Sequence, residues 1–183
     1  MNQNILKDKR ILAVDDEWDV IDTIVEILHM ARVDVAQDHD TAVEKISTGT
    51  YDLAILDIMG VNGIRLLEHC VENNIPAVML TANAMNPEAL MESIKKGAIS
   101  YLSKEHLADL DELLAELLGA RNDGNPTWKI LFDKLGDYFN SRFGKDWKDK
   151  DRNFWDDFEQ AWDVSRGIQE RLRHNPDILD KGV

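Results

Sequence analysis

The sequence predicts an α/β fold in which a five-stranded, parallel, doubly wound sheet precedes an α-helical hairpin. Through the first 120 residues, apolar runs of strand length alternate with segments of helical periodicity. Runs that are apolar at every position indicate strands buried on both faces, in a parallel sheet between helix layers. A polar break and an aromatic-rich region follow, and they predict the helical extension.

The predicted strands and helices follow one another in strict alternation. The strands are RILAVD (10–15), VDVA (33–36), LAILD (53–57), PAVMLT (76–81) and AISYLS (98–103). The helices are DVIDTIVEILHMA (19–31), HDTAVEKIS (39–47), GIRLLEHCVE (63–72), NPEALMESIKKG (86–97) and HLADLDELLAELLG (106–119). We expect Asp38 to cap the second helix. Pro87 and Gly97 mark the start and the end of the fourth.

The chain divides into a predicted domain at residues 1–120, a linker at 121–125 and an extension at 126–183. In the extension, Asn125 is expected to cap a first helix that has Pro126 in its first turn, and a second helix follows to form a hairpin. Ten of the 13 aromatic residues lie between Trp128 and Trp162. Two helices cannot bury so many rings, so we expect an exposed apolar patch. The patch packs on the first domain or on a second copy, or binds a downstream protein through 126–172.

Composition limits the classes of function. The net charge is −14, of which −13 lies in residues 1–125 and −1 in 126–183, so neither part favours nucleic acid. No apolar run approaches the roughly 20 residues that cross a bilayer, and the first ten residues lack a signal-peptide core. One cysteine, Cys70, excludes an intrachain disulfide and suits the cytoplasm.

Chemically active side chains lie at the carboxyl ends of the predicted strands. Right-handed crossovers bring these ends to one edge of a parallel sheet, where α/β proteins bind their ligands. The side chains expected there are Asp15, Asp16 and Glu17 after the first strand, Asp57 after the third, Thr81 after the fourth, and Ser103 and Lys104 after the fifth.

This cluster predicts Mg²⁺-dependent phosphoryl transfer. Adjacent carboxylates stay ionised only beside a cation, and Mg²⁺ prefers a few carboxylates together with water and phosphate oxygens. Asp57 is then a nucleophile toward a phosphoryl donor. Lys104 pairs with one phosphoryl oxygen and the Thr81 hydroxyl with another. Acids at a helix start also serve as caps, but that role does not explain the whole cluster.

Residues 8–120 resemble the receiver domain of two-component response regulators, which has a flavodoxin-like fold. The resemblance depends on ILAVDDE, YDLAILDI, AVMLTA and KKGAISYLSK, in the order of that family. It implies a signalling domain that accepts a phosphoryl group from a histidine kinase or a histidine phosphotransfer protein. It implies no enzyme activity beyond slow self-dephosphorylation.

The resemblance also implies a role for each site residue. Asp57 is the phosphoacceptor, Asp16 a direct Mg²⁺ ligand, Asp15 a water-mediated ligand, and Met59 a ligand through its backbone carbonyl. Thr81 is the switch hydroxyl, Lys104 the phosphate clamp and Tyr101 the switch aromatic. Phosphorylation is expected to draw Thr81 toward the phosphate, to turn Tyr101 inward and to remodel the face formed by the fourth helix, fifth strand and fifth helix.

Two departures from the family pattern keep alternatives open. The loop DIMGVNGI reaches Asn62-Gly63 about two residues early and lacks a proline, and Glu105 stands where a proline usually follows Lys104. A receiver-like adaptor that works without phosphorylation therefore remains an alternative. A Mg²⁺-dependent phosphatase is a more distant one, because Met59 occupies the place of its acid-base aspartate.

Overall fold

A computed structural model describes residues 5–82 and 86–161 of the chain. Five parallel strands form one sheet in the order β2-β1-β3-β4-β5. They are β1 (Arg10–Val14), β2 (Arg32–Ala36), β3 (Leu53–Asp57), β4 (Ala77–Thr81) and β5 (Ser100–Ser103). The predicted parallel, doubly wound fold is confirmed.

The helices of the first part alternate with these strands. They are α1 (Trp18–Ile27), α2 (His39–Thr48), α3 (Gly63–Glu72), α4 (Pro87–Lys95) and α5 (Leu110–Asn122). Strands β3 and β4 are buried at every residue, as their unbroken apolar sequences predict, because helices cover both faces of the sheet. The core is made mostly of aliphatic side chains of the central strands and the inward faces of the helices.

The boundaries of the first two helices follow from local hydrogen bonds. The carboxylate of Asp38 accepts a hydrogen bond from the Thr41 amide at 2.8 Å, as expected for the cap of α2. The predicted first helix ends four residues early, at Ile27, and a turn follows in which the Ala31 amide donates to the Leu28 carbonyl. Leu28 is nevertheless fully buried, so the apolar periodicity continued beyond the helix itself.

The region after β5 differs most from the sequence-based prediction. A 3₁₀ helix (Lys104–Asp109) with a kink at His106 precedes α5, so the regular helix begins at Leu110 rather than at position 106. Helix α5 then continues to Asn122, and the first two residues of the predicted 121–125 linker are therefore helical. The apolar periodicity of the sequence did not distinguish the 3₁₀ helix from α5, because both helices direct apolar side chains inward.

The structure divides into two compact units, one up to Leu118 and one from Gly119 onward. In the second unit, α6 (Thr127–Phe143) follows Pro126, and a further helix, α7, runs from 152 to the last described residue, 161. The expectation that Asn125 caps α6 is wrong, since Pro126 occupies the cap position and no side chain caps the helix. The remaining predicted stripe, from Trp162 to Leu172, lies outside the described residues.

Aromatic side chains form the core of this second unit. Trp147, in the α6–α7 connection, lies 4.8 Å from Trp155 and 5.1 Å from Phe143 between ring centroids. The Lys148 ammonium lies 5.0 Å from the Phe132 ring and 5.3 Å from the Trp155 ring. Within the described part of the extension every aromatic side chain is buried or half-buried and no large apolar side chain is exposed, so the expected exposed apolar patch is not observed there. The α6–α7 connection contributes the Trp147 ring to this core, in addition to the rings on the two helices.

Among the described residues, no helix is both long enough and apolar enough to cross a membrane.

Candidate functional site

The carboxyl edge of the sheet brings together side chains that are far apart in sequence. Asp57 ends β3 and is 3% exposed, and the neighbouring Thr81 ends β4 and is fully buried. Asp15 follows β1 directly and is also fully buried. Burying a polar side chain costs free energy unless it has hydrogen-bonding or charged partners. The partners of these three side chains therefore show how the site is held together.

Lys104 supplies the positive charge that these acids require. Its ammonium nitrogen lies 2.7 Å from Asp15 Oδ2, 2.9 Å from Glu17 Oε1 and 3.2 Å from Asp57 Oδ1. Its side chain is 11% exposed, so these ion pairs are largely shielded from solvent. The structure thus places Lys104 among the carboxylates, as the strand-end pattern predicts.

Burial and ion pairing shift the ionisation of these groups in different directions. Burial raises the pKa of Asp15, and the hydrogen bond from Lys104 opposes that increase. For Lys104, burial alone would lower the pKa, but hydrogen bonds to Asp15 and Glu17 outweigh it, and its pKa lies above the ordinary value. The hydrogen bond from Lys104 lowers the pKa of Glu17. The sequence places Glu17 in the cluster but assigns it no role. In the structure its carboxylate forms an ion pair with Lys104.

The short loop after β3 positions the Asp57 carboxylate through its backbone. The Gly60 amide donates a hydrogen bond to Asp57 Oδ2 at 2.7 Å. Asn62 then adopts the left-handed conformation, with φ of 55°, and the Gly63 amide donates to the Ile58 carbonyl to begin α3. The loop therefore turns within a few residues and still provides a donor to the carboxylate.

Gly60 also makes room for a second acid. A β-carbon at this position would lie 2.0 Å from Asp16 Oδ1, closer than any non-bonded contact allows. The side chain of Met59, immediately before it, is 71% exposed. The sequence marked Gly60 only as part of a short loop. Its role depends on a contact with Asp16 that sequence spacing does not reveal.

The predicted switch residues, Thr81 and Tyr101, lie on the neighbouring strands β4 and β5. Thr81 is paired with Ser103, and Met79 with Tyr101. The Thr81 hydroxyl is buried and has no hydrogen-bond partner within the described part of the chain. The Tyr101 ring is fully buried, and burial raises its pKa. The inward ring position, expected after phosphorylation, is therefore the one that this structure shows.

The donor set fits a hard divalent cation. One oxygen from each of Asp15, Asp16 and Asp57 can be chosen so that all lie within 4.8 Å of one another. Three carboxylates, one of them exposed to solvent, suit Mg²⁺, which retains some of its water when protein binds it. A cavity of about 420 Å³ opens at this point, with Asp16, Asp57, Gly60 and Lys104 in its lining.

Comparisons with known proteins point to one family. Residues 11–117 match the family model of the response regulator receiver domain. The transcriptional regulatory protein DltR of Streptococcus agalactiae serotype III (strain NEM316) is 35% identical over 114 residues, 59% of this chain and 50% of that protein. The regulatory protein VanRB of Enterococcus faecalis is 42% identical over 100 residues, 52% of this chain and 45% of that protein. The chain thus spans about half the length of the curated relatives it matches.

Solved structures lead to the same family. The crystal structure of a CheY-like response regulator receiver domain protein from Methanospirillum hungatei JF-1 has a TM-score of 0.57 and 29% identity, and the match covers 63% of this chain and 98% of that one. The Francisella response regulator 1452 receiver domain has a TM-score of 0.51 and 26% identity, and the match covers 60% of this chain and 98% of that one. The family model covers more than half of the chain, and the sheet order and the acidic strand ends agree with it. The chain belongs to the response regulator receiver domain family of two-component systems.

Proposed function

We propose that this chain is a phosphorylation-dependent switch in which Asp57 accepts a phosphoryl group with the help of Mg²⁺. The observation that carries the proposal is the position of the Lys104 ammonium, which contacts both Asp15 and Asp57 at the rim of an open cavity. A cation at this point neutralises the nucleophile before the reaction and a phosphoryl oxygen after it. Receiver domains bind Mg²⁺ at such an acidic site.

The proposed reaction is a displacement at phosphorus. An oxygen of the Asp57 carboxylate forms a bond to phosphorus while the bond from phosphorus to the leaving group breaks, and the leaving group departs with that electron pair. Mg²⁺ would be held by Asp15, Asp16, Asp57 and the Met59 carbonyl. When bound, it would neutralise negative charge on the phosphoryl oxygens. The Gly60 amide orients the nucleophile through its 2.7 Å hydrogen bond to Asp57 Oδ2.

The proposed output starts from two further side chains. The buried Thr81 hydroxyl lacks a hydrogen-bond partner among the described residues, and a phosphoryl oxygen would provide one. Movement of Thr81 would then bias the position of Tyr101 on the adjacent strand, and with it the face formed by α4, β5 and α5. In this scheme the chain is a signalling domain whose only reaction besides phosphorylation is slow self-dephosphorylation.

We propose a sensor histidine kinase or a histidine phosphotransfer protein as the phosphodonor, because receiver domains interact with these proteins. For the output we propose protein binding by region 126–172, to a second copy or to a downstream protein, rather than DNA binding. The net charge of −1 over residues 126–183 supports this choice, since DNA-binding surfaces are strongly basic. Relatives named as transcriptional regulators extend over about twice the matched length.

A second candidate is an adaptor that binds its partner without phosphorylation. Two features favour it: the shortened loop between Asp57 and Gly63, and the replacement of the usual proline by Glu105 after Lys104. The observed Gly60 and Lys104 contacts favour the first candidate, because they supply the groups that phosphoryl transfer needs despite both changes.

Intact-mass measurement after incubation with acetyl phosphate and Mg²⁺ tests the proposal. We expect the protein to gain one phosphoryl group, and the variant Asp57→Asn, which keeps the side-chain shape but lacks the nucleophilic carboxylate, to gain none. Circular dichroism should show that both are folded. A folded protein that binds Mg²⁺ and gains no mass would support the adaptor instead.

A further inference from the structure

The chain leaves the sheet at a turn that determines where Lys104 can reach. Ser103 is the last residue of β5, is 1% exposed and pairs with Thr81 of β4. Lys104 is the first residue of the 3₁₀ helix that follows. The backbone conformation of this turn therefore determines where the Lys104 side chain begins and which groups its ammonium can reach.

A side-chain hydrogen bond spans this turn. Ser103 has extended backbone angles, φ −78° and ψ 141°, and its Oγ accepts a hydrogen bond from the Glu105 amide at 3.2 Å. Serine commonly stabilises turns and helix starts in this way. The bond requires an N–H at position 105, which proline would not provide. No peptide bond in the described residues is cis.

We infer that Ser103 is a positioning residue for Lys104: its hydroxyl holds the turn from which the lysine reaches the carboxylates. This inference rests on the proposed phosphorylation of Asp57. Because Glu105 has an amide hydrogen, the serine hydroxyl provides a local restraint on the turn that does not depend on proline. Among the described residues, the Ser103 hydroxyl has no hydrogen bond to Asp15, Asp16 or Asp57, so it acts through its neighbour.

The geometry of Lys104 shows why such a restraint matters. Its ammonium meets Asp15 and Asp57 at 2.7 Å and 3.2 Å, and the side chain that carries it has four rotatable bonds. A turn that shifts would move the ammonium away from the position where the phosphoryl oxygens arrive. Misplacement of a catalytic group by about 1 Å can reduce a rate by roughly 100-fold.

The test measures the initial rate of phosphoryl incorporation from acetyl phosphate at saturating Mg²⁺ for the full chain. We expect Ser103→Ala to reduce the rate by about 10-fold to 100-fold. Ser103→Thr retains the hydroxyl and should restore most of the rate. In a Lys104→Met background, which has lost the ammonium, Ser103→Ala should cause no further loss, because residues that act through one contact are not additive.

A matched control separates positioning from general stability. Asp38→Ala removes a similar side-chain bond from the Thr41 amide at the start of α2, together with the bond from the Thr41 hydroxyl, and should leave the rate unchanged. The inference is overturned if Ser103→Ala reacts at the wild-type rate, or if it slows the Lys104→Met protein by the same factor as the wild type. If wild-type protein incorporates no phosphoryl group, the proposed function itself fails, and the inference fails with it.

Discussion

At the scale of single residues, the site depends on backbone groups as much as on its acids. Asp57 would be an isolated buried carboxylate without the Gly60 amide, which donates to its Oδ2, and the Lys104 ammonium, which contacts its Oδ1. Both contacts come from places where the sequence departs from the family pattern. Gly60 lies in the shortened loop, and Lys104 is followed by a glutamate in place of the usual proline. The short loop therefore still supplies a hydrogen-bond donor to the Asp57 carboxylate.

A β-carbon at Gly60 should damage the proposed metal site specifically. In Gly60→Ala the new atom would lie 2.0 Å from Asp16 Oδ1, so this carboxylate must move. We expect the protein to fold but to lose most of the increase in melting temperature that Mg²⁺ produces, as measured by differential scanning fluorimetry.

Gly136→Ala is the matched control for this substitution. Gly136 lies inside α6 with nothing within 4 Å of an added β-carbon, so the change should leave the Mg²⁺ response intact and stabilise by up to about 1 kcal/mol. A normal Mg²⁺ response in Gly60→Ala would show that Asp16 relaxes without cost or does not bind the metal.

Removal of one acid tests the proposed ligand set directly. Mg²⁺ should raise the melting temperature of the wild-type protein, since a ligand that binds only the folded state stabilises it. The shift should be nearly absent in Asp16→Ala, and NaCl at matched ionic strength serves as the control. Equal shifts in the two proteins would exclude Asp16 as a direct ligand.

At the scale of secondary-structure elements, a polar network joins β1, β2 and the segment that precedes β3. Arg10 of β1 donates to Asp34 of β2 at 2.7 Å, and the Tyr51 hydroxyl donates to the same carboxylate at 2.9 Å. The Arg10 guanidinium also lies 4.9 Å from the centre of the Tyr51 ring. This network ties the edge strand β2 to β1 and to the segment before β3.

Acidification should weaken this network in a defined pH range. The hydrogen bond from Arg10 holds the pKa of Asp34 below its ordinary value near 3.8, although burial opposes that decrease. A depressed folded-state pKa contributes stability above the unfolded-state value, and the contribution is lost as the pH falls through the folded-state value. We expect wild type to be more stable than Asp34→Asn at pH 7, by less than about 1 kcal/mol because the pair is partly exposed.

Urea unfolding at several pH values checks this prediction. The stability difference between wild type and Asp34→Asn should stay constant from pH 7 to about pH 5 and shrink below about pH 4. Asp8→Asn is a suitable control, because Asp8 is exposed and its distance to Arg32 is 3.6 Å. A difference that persists unchanged at pH 2 would mean that the Asp34 charge does not carry the effect.

At the scale of the whole molecule, two units with different kinds of core share one chain. The first unit has an aliphatic core around a sheet, and the second has a core of aromatic rings around α6 and α7. We propose that the two units fold independently. This division would let the receiver site and the proposed binding function of the extension be altered separately.

Truncation of one central ring should unfold only the second unit. Trp155 is 3% exposed and its ring contacts Phe132, Trp147, Phe154 and Phe158. We expect Trp155→Ala to cost about 3 kcal/mol or more and to abolish the near-ultraviolet circular dichroism of the extension. Phosphoryl incorporation at Asp57 should remain at the wild-type level.

Trp18→Ala is the corresponding stability control, because Trp18 is 56% exposed and its loss should change stability by less than about 0.5 kcal/mol. A parallel loss of phosphoryl incorporation in Trp155→Ala would show that the two units fold as one.

The alternation of strands and helices, the parallel sheet and the expected meeting of Asp15, Asp57, Thr81 and Lys104 were all predictable from the sequence. They follow from local periodicity and from one topological rule, that parallel strands end at the same edge. The end of α1, the 3₁₀ helix before α5 and the burial of the tail rings were not predictable in this way. The burial of the tail rings depends on packing against residues distant in sequence. The two helix boundaries depend on hydrogen bonds that apolar periodicity does not show, such as the one from the Glu105 amide to Ser103 Oγ.

The sequence by itself determined the fold class, the family and the set of acids at the strand ends, because hydrophobic pattern and residue order encode them directly. Only the tertiary structure decided how that set is held: the Gly60 amide on Asp57, the contact between Gly60 and Asp16, and the position of Lys104 among three carboxylates. These contacts join residues up to 89 positions apart, as between Asp15 and Lys104. Their distances depend on how the strands and loops pack together, which no local pattern specifies.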